Sequence, residues 1–139
     1  MRQAAEILRV PTQGKGLVEI TRPVGDWVRE QAMQTGLLTL HCRHTSASLL
    51  VQENADPDVQ RDLLTYSETI APEDPRRYRH DTEGPDDMPA HLRTALTQTN
   101  LSIPLIEGGL MLGTWQGIYL FEHRREGSTR HIALHLIGE

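Results

Sequence analysis

Residues 37–52, LLTLHCRHTSASLLVQ, decide the fold because they carry two consecutive β-strand patterns. From Leu37 to His44, apolar and polar residues alternate, so every second side chain points to the same face. That face carries a row of four residues: Leu38, Leu40, Cys42 and His44. A second β-like segment runs from Ser46 to Gln52. The alternation predicts a sheet with one buried face and places His44 at the inner end of the row.

Working outward, the rest of the chain mixes helical and extended patterns. A strand pattern at 17–21 precedes a helix from Pro23 to a stop at Gly36, and Asp56 and Pro57 are typical of a helix start. A third helical pattern starts at Met88. Further β-like segments are predicted at 101–106, 110–112, 118–121 and 131–137, with Gly108 and Gly109 as a hairpin turn.

Length and composition limit the possible classes of protein. The 139 residues fit one domain, 1–139, and the formal net charge of −5 argues against a broad nucleic-acid or anionic-membrane surface. No run approaches the roughly 20 apolar residues of a membrane span. The single cysteine, Cys42, excludes an internal disulfide and fits a reducing compartment. We therefore expect a cytoplasmic protein with neither nucleic-acid nor membrane partners.

The segment 79–93, RHDTEGPDDMPAHLR, concentrates two imidazoles and four carboxylates around a Gly-Pro turn. The six residues are His80, Asp81, Glu83, Asp86, Asp87 and His91. Such a loop offers a cation site, a general acid/base site, or both. Asp86 and Asp87 are equally consistent with capping the helix that follows. For His80 and His91 the neighbouring acids favour a functional role.

Two other segments carry polar chemistry. HTSAS at 44–48 and QENAD at 52–56 place hydroxyls near an imidazole and an acid near a helix start; hydrogen-bonding roles fit Ser46 and Ser48 better than nucleophilic ones. LGTWQG at 112–117 has glycines that let backbone approach a ligand, with Trp115 for stacking. A β-bulge with a buried tryptophan explains that segment as well.

Taken together, these motifs resemble the YjbQ family, also known as the secondary thiamine-phosphate synthase family. The similarity rests on HTSAS at 44–48, QENADP at 52–57, HDTEGPDDMPAH at 80–91 and LGTWQGIYLFEHR at 112–124. It implies an α+β fold of largely antiparallel β-sheets packed with a few helices. It also implies a homotrimer with sites near the subunit interfaces.

The resemblance assigns roles to particular residues. It implies metal ligation by His44, His80 and His91, and catalytic or supporting roles for Glu53, Asn54, Asp81 and Glu83. It implies substrate binding by six residues: Ser46, Ser48, Arg93, Gly113, Trp115 and Gln116. The four remaining histidines, at 41, 123, 131 and 135, are assigned no role by the resemblance and are expected to be surface or packing residues.

The activity implied by the resemblance joins a pyrimidine diphosphate to a thiazole phosphate and releases diphosphate. A divalent ion, zinc or magnesium, would neutralise the leaving group with help from Arg79 or Arg93, and Trp115 would stack on the pyrimidine. Three imidazoles suit zinc better than magnesium, which prefers oxygen ligands. Two alternatives remain open: a zinc-type hydrolase of a small phosphorylated metabolite, with Glu83 or Asp81 as base, and a noncatalytic metal- or metabolite-binding protein.

Overall fold

The computed structural model describes residues 1–139 as two antiparallel sheets with three α-helices. The strands are β1 Arg2–Pro11, β2 Gly16–Glu19, β3 Gly36–Cys42, β4 Ala47–Glu53, β5 Asn100–Ile106, β6 Gly109–Leu110, β7 Gln116–Glu122 and β8 Thr129–Gly138. The helices are α1 Thr21–Glu30, α2 Pro57–Ile70 and α3 Asp87–Leu96, with a short 3-10 helix at Pro75–Arg77. The α+β class expected from the sequence is confirmed.

One sheet has the order β1-β8-β3-β5-β6 and the other β2-β7-β4, with antiparallel pairing throughout. In the smaller sheet, Ala47 pairs with Glu122 and Glu53 pairs with Gln116. The start of β4 therefore lies beside the end of β7, and the end of β4 beside the start of β7. This register sets where the sequence motifs meet.

The core lies between the two sheets. The predicted inward row on β3 is buried at Leu38, Leu40 and Cys42, and α1 adds Val24 and Val28 to the same core of 17 residues. All three helices pack mainly on the smaller sheet. The outer face of the larger sheet therefore has no helical layer over it.

The element boundaries differ from the sequence-based expectations at several places. The hairpin turns at Glu107 and Gly108, so β6 is Gly109–Leu110 and not 110–112. Helix α1 begins at Thr21 and ends at Glu30, before Gly36, because Ala32 adopts a left-handed φ of 54°. The ten-residue strand β1 was not predicted. Only Val10 of β1 is buried, so the strand lacks the apolar alternation that identifies a half-buried strand. None of the three helices combines the length and the apolar character that crossing a membrane requires.

Candidate metal centre

Four side chains from the 79–93 segment converge beside the first turns of α3. His80 and Glu83 belong to the loop before the helix, and Asp87 and His91 lie four residues apart on one helical face. One potential ligand atom from each residue lies within 4.8 Å of the others. Gly84 makes the return of the loop possible, because its φ of 101° is a conformation that favours glycine.

Asp87 is the centre of this four-residue cluster. Its Oδ2 lies 2.7 Å from Nε2 of His80 and 3.1 Å from Nε2 of His91, and Nε2 of His80 lies 3.1 Å from Oε2 of Glu83. Asp87 is only 3% exposed, whereas His80 and Glu83 are exposed. Asp87 thus closes the cluster on its buried side. The opposite side is open to solvent and leaves room for a substrate.

The backbone fixes the orientation of the His91 ring. Its Nδ1 donates to the carbonyl oxygen of Thr45 at 2.9 Å, so Nε2 is the nitrogen that faces Asp87 and would bind a metal. Metal-binding histidines usually donate their other ring nitrogen to a carbonyl or carboxylate in this way. The hydrogen bond also ties α3 to the segment that leads into β4.

Arg124 lies on the buried side of the cluster and binds its acidic residues. It was not identified as a functional residue from the sequence. Its Nη1 donates to Oδ1 of Asp87 at 2.6 Å, its Nε to Oδ2 of Asp86 at 3.0 Å, and its Nη2 to the carbonyl of Glu83 at 2.9 Å. Arg124 closes the LGTWQGIYLFEHR motif. The sequence signal was present, but its partners lie 37 to 41 residues earlier in the chain.

The positive charge of His80 and the negative charge of Asp87 stabilise each other. The hydrogen bond with Asp87 raises the pKa of His80, with a further contribution from Glu83. Burial alone would raise the pKa of Asp87, but the hydrogen bonds and positive charges around it outweigh burial and lower that pKa. Asp87 is therefore ionised at neutral pH.

The structure does not bring His44, the third expected ligand, into this cluster. Nε2 of His44 accepts the backbone N–H of His131 at 2.8 Å, and the two rings stack with centroids 5.9 Å apart. Burial, followed by the charge of Arg130, lowers the pKa of His44. Strand β3 ends at Cys42, and the loop beyond it presents the carbonyl of Thr45, not the His44 ring, to the cluster.

Two expected substrate-binding residues near this end are buried. Ser48 is fully buried, with its Oγ 2.8 Å from Nε2 of His123 and 2.6 Å from Oγ1 of Thr97. Arg93 is 4% exposed and donates to the carbonyl of Ala71 at 2.8 Å. Within one chain, Ser48 links β4 to the end of α3, Arg93 links α3 to the end of α2, and both side chains are buried.

His123 fits the expectation of a packing histidine. Its side chain is fully buried, and burial lowers its pKa to about 3. The imidazole is therefore neutral at physiological pH and bonds to Ser48 inside the molecule.

Five of the expected site residues lie at the opposite end of the smaller sheet: Glu53, Asn54, Gly113, Trp115 and Gln116. Asn54 follows β4, and its backbone N–H donates to the carbonyl of Trp115 at 3.0 Å, while Oε2 of Glu53 accepts the N–H of Asp56 at 3.1 Å. Oε1 of Gln116 accepts the N–H of Gly113 at 2.7 Å. Trp115 is 63% exposed, so it is not the buried tryptophan of a bulge. At about 3.3 Å per residue, β4 separates this end from the cluster by roughly 20 Å.

Asp86 and Asp87 were each expected either to cap α3 or to contribute to a cation site, and the structure distinguishes the two residues. Asp86 stands at the N-cap position, but its side chain makes no capping hydrogen bond and instead accepts from Arg124 and from the N–H of Arg125 at 2.9 Å. Asp87 belongs to the cluster. Asp81 is exposed and lines a small recess beside His80, together with Tyr78 and Met88.

The largest cleft, about 780 Å³, lies elsewhere, between α1 and the β5–β6 hairpin. It contains one carboxylate, Glu19, and no histidine. We place the candidate site at the cluster because its four donor side chains, and not the size of a cleft, provide reactive chemistry.

Fold and cluster define a class: a small α+β protein with two packed antiparallel sheets and a solvent-facing histidine–carboxylate group. A family model described as "UPF0047 protein YjbQ-like" matches residues 6–139. The chain belongs to this YjbQ/UPF0047 family.

Similar proteins come from distant organisms. The chain is 52% identical over 138 residues to UPF0047 protein sll1880 of Synechocystis sp., covering 99% of this chain and 94% of that one. It is 43% identical to UPF0047 protein YjbQ of Escherichia coli O157:H7, covering 87% and 85%. None of these names states a reaction.

Solved structures share the fold. A YjbQ/UPF0047 protein of Clostridium acetobutylicum gives a TM-score of 0.86 at 32% identity, covering 95% of this chain and 99% of that chain. The conserved hypothetical protein TT1486 of Thermus thermophilus gives 0.84 at 37% identity, with the same coverage. The comparisons establish family and fold, and leave the activity to be argued from the site.

Proposed function

We propose that the chain is a metal-dependent enzyme acting on a small phosphorylated metabolite, with His80, Glu83, Asp87 and His91 as the metal ligands. The observation that carries this proposal is the convergence of their four donor atoms within 4.8 Å. Two imidazoles and two carboxylates fit zinc or a similar transition ion better than magnesium. The bound ion would neutralise negative charge that develops on a phosphorylated substrate.

The residues around this centre would have separate roles. Asp87 and His91 are held by Arg124 and by the Thr45 carbonyl, so they form the fixed side of the site. Glu83 is exposed and belongs to a loop, so it would serve either as the fourth ligand or, with water in that position, as the base that exchanges a proton with the substrate. Asp81, in the neighbouring recess, is the alternative base.

The first reaction to test is the one implied by the family resemblance, formation of thiamine phosphate with release of diphosphate. A second candidate, hydrolysis of a small phosphate ester, is favoured by one observation. Trp115, the proposed stacking partner of a pyrimidine, lies at the far end of β4 from the cluster, roughly 20 Å away. A hydrolase needs no ring-stacking group at that distance.

We also propose a homotrimer in which the outer face of the larger sheet is an interface. Ile7, Leu37 and Ile137 are 38%, 41% and 39% exposed on strands that no helix covers. A closed ring joins different surfaces of successive copies, so the Trp115 end of one chain can approach the cluster of the next. This arrangement would restore a role for Trp115, Gln116, Glu53 and Asn54 in the synthase reaction. Light scattering that gives a monomer at micromolar concentration would contradict it.

The buried free thiol of Cys42 supports one further proposal, a location in a reducing compartment such as the cytoplasm.

The deciding experiment measures metal content and turnover in matched variants. His80→Ala and His91→Ala should each lose bound zinc and all turnover, whereas His135→Ala, a half-buried histidine of β8 bonded to Gln3, should retain bound zinc. Assays follow diphosphate release from the synthase substrates and phosphate release from a panel of phosphate esters. Full zinc content in both cluster variants would refute the ligand assignment. Normal zinc binding without turnover of any substrate would favour a noncatalytic binding protein.

A further inference from the structure

A small polar recess adjoins the cluster on the side of Arg124. It measures about 250 Å³ and contains no apolar side chain. Its lining residues are Ser46, Arg124, Glu126, Gly127, Ser128 and Arg130. Arg124 lines the recess and also donates to Asp87, so one residue belongs to both the recess and the cluster.

Arg130 forms one side of the recess, and its cationic side chain is held in a fixed position. It is 7% exposed, and its Nε and Nη2 are both engaged by the carboxylate of Glu122, which is itself fully buried and bonded to Thr12 at 2.6 Å. Its Nη1 makes no hydrogen bond within the chain and is not buried away from solvent. The two N–H groups on Nη1 are thus available to an anion, and the arginine loses little freedom when it binds.

Two hydroxyls complete the set of donors. Oγ of Ser46 accepts from Nη2 of Arg130 at 3.0 Å, so its own hydrogen is free to point into the recess. Ser128 is exposed and its hydroxyl has no partner in the chain. The loop that carries Ser128 is held close to β1, where a Cβ on Gly127 would lie 2.0 Å from the carbonyl oxygen of Thr12.

We propose that this recess binds a phosphoryl group that the substrate keeps through the reaction, while the reacting bond, at another position of the same molecule, lies at the metal cluster. This inference rests on the proposed metal-dependent function and adds the part of the substrate that fixes its orientation. Several polar donors around one small recess suit a tetrahedral anion with three free oxygens. Glu126 is the one unpaired acid in the lining, and it limits affinity for an anion.

The test uses charge changes of opposite sign. Inorganic phosphate is titrated into zinc-loaded and zinc-free protein by calorimetry at constant ionic strength. Ser128→Asp should weaken phosphate binding by at least about tenfold, because a carboxylate then faces the anion. Glu126→Gln should tighten it severalfold. The matched control is Thr35→Asp, which makes the same charge change in an exposed residue at the other end of β8.

The outcomes separate the two proposals. Failure of the wild-type protein to bind zinc would refute the proposed function, and the zinc-free titrations would still decide the recess. Equal phosphate affinity in Ser128→Asp and Thr35→Asp would overturn the recess as a subsite, and so would the absence of saturable phosphate binding in the wild-type protein. Thermal denaturation of each variant checks that the fold is retained.

Discussion

Replacing Arg124 by methionine should destabilise the metal-free protein far more than the same change at Arg125. Arg124 is 28% exposed at its side chain and donates to Asp86 and Asp87, whose side chains are 10% and 4% exposed. Hydrogen bonds to buried charged groups contribute about 1.5–3 kcal/mol each, so the two bonds set a range of about 3–6 kcal/mol. Partial access of water to the guanidinium reduces the expected loss to about 2–4 kcal/mol.

Arg125 is the matched control because it is the next residue and pairs with a different acid, Glu73. Its side chain is 62% exposed, so the pair should contribute under about 1 kcal/mol. Free energies of unfolding are obtained from urea titrations of both variants without metal, at constant ionic strength. Zinc should then restore stability in Arg124→Met, since an ion that binds only the native state compensates the charge of Asp87.

Two results would refute this reasoning. Equal losses in Arg124→Met and Arg125→Met would mean that Arg124 does not neutralise a buried acid pair. A stability deficit in Arg124→Met that zinc leaves unchanged, although zinc binds, would mean that the arginine and the metal do not act on the same carboxylate. In that case Asp87 would be a structural residue and not a ligand.

Three further outcomes are expected. The pKa of His123 is lowered to about 3 in the folded protein, from the ordinary histidine pKa of about 6.5. Between these two values, the unfolded chain binds a proton at His123 and the folded chain does not. Stability should therefore fall as pH drops from about 6.5 toward 3, by up to about 1.4 kcal/mol per pH unit from this residue, and urea titrations of His123→Asn should lack that component. Gly127→Ala should cost about 1–3 kcal/mol through the clash with Thr12, whereas Gly109→Ala, with its nearest neighbour at 3.8 Å, should be nearly neutral by thermal denaturation. Ile137→Glu should convert the proposed trimer to monomers in light scattering, and an unchanged mass would remove the large-sheet face as the interface.

The sequence predicted those elements whose patterns are local. Alternation located β3, and Asp56 with Pro57 located the start of α2, where Asp56 accepts the N–H of Asp58 as an N-cap. Half of the metal cluster could also be read locally, because Asp87 and His91 share a helical face. Strand β1 escaped detection because an edge strand with a single buried residue carries no alternation.

The features that the sequence did not predict depend on tertiary contacts between distant segments. The family resemblance made His44 an expected ligand, and its place at the end of the buried row of β3 agreed with this, but the strand ends before His44 and the ring contacts His131. Arg124 was overlooked because its acid partners belong to a distant loop. Neither contact is encoded in the periodicity of a single segment, since each depends on which strand or loop lies next to it.

The register between β4 and β7 explains why motifs that look like one site separate into two. Each strand has a motif at both ends, and antiparallel pairing joins HTSAS with the residues around Arg124, and QEN with TWQG. The first pair borders a histidine–carboxylate cluster and a polar recess, and the second presents an exposed tryptophan. Roughly 20 Å of β-strand separates them, so one small substrate within a single chain cannot contact both. A reaction that needs both ends must therefore use two copies of the chain, and a reaction confined to the cluster must proceed without Trp115.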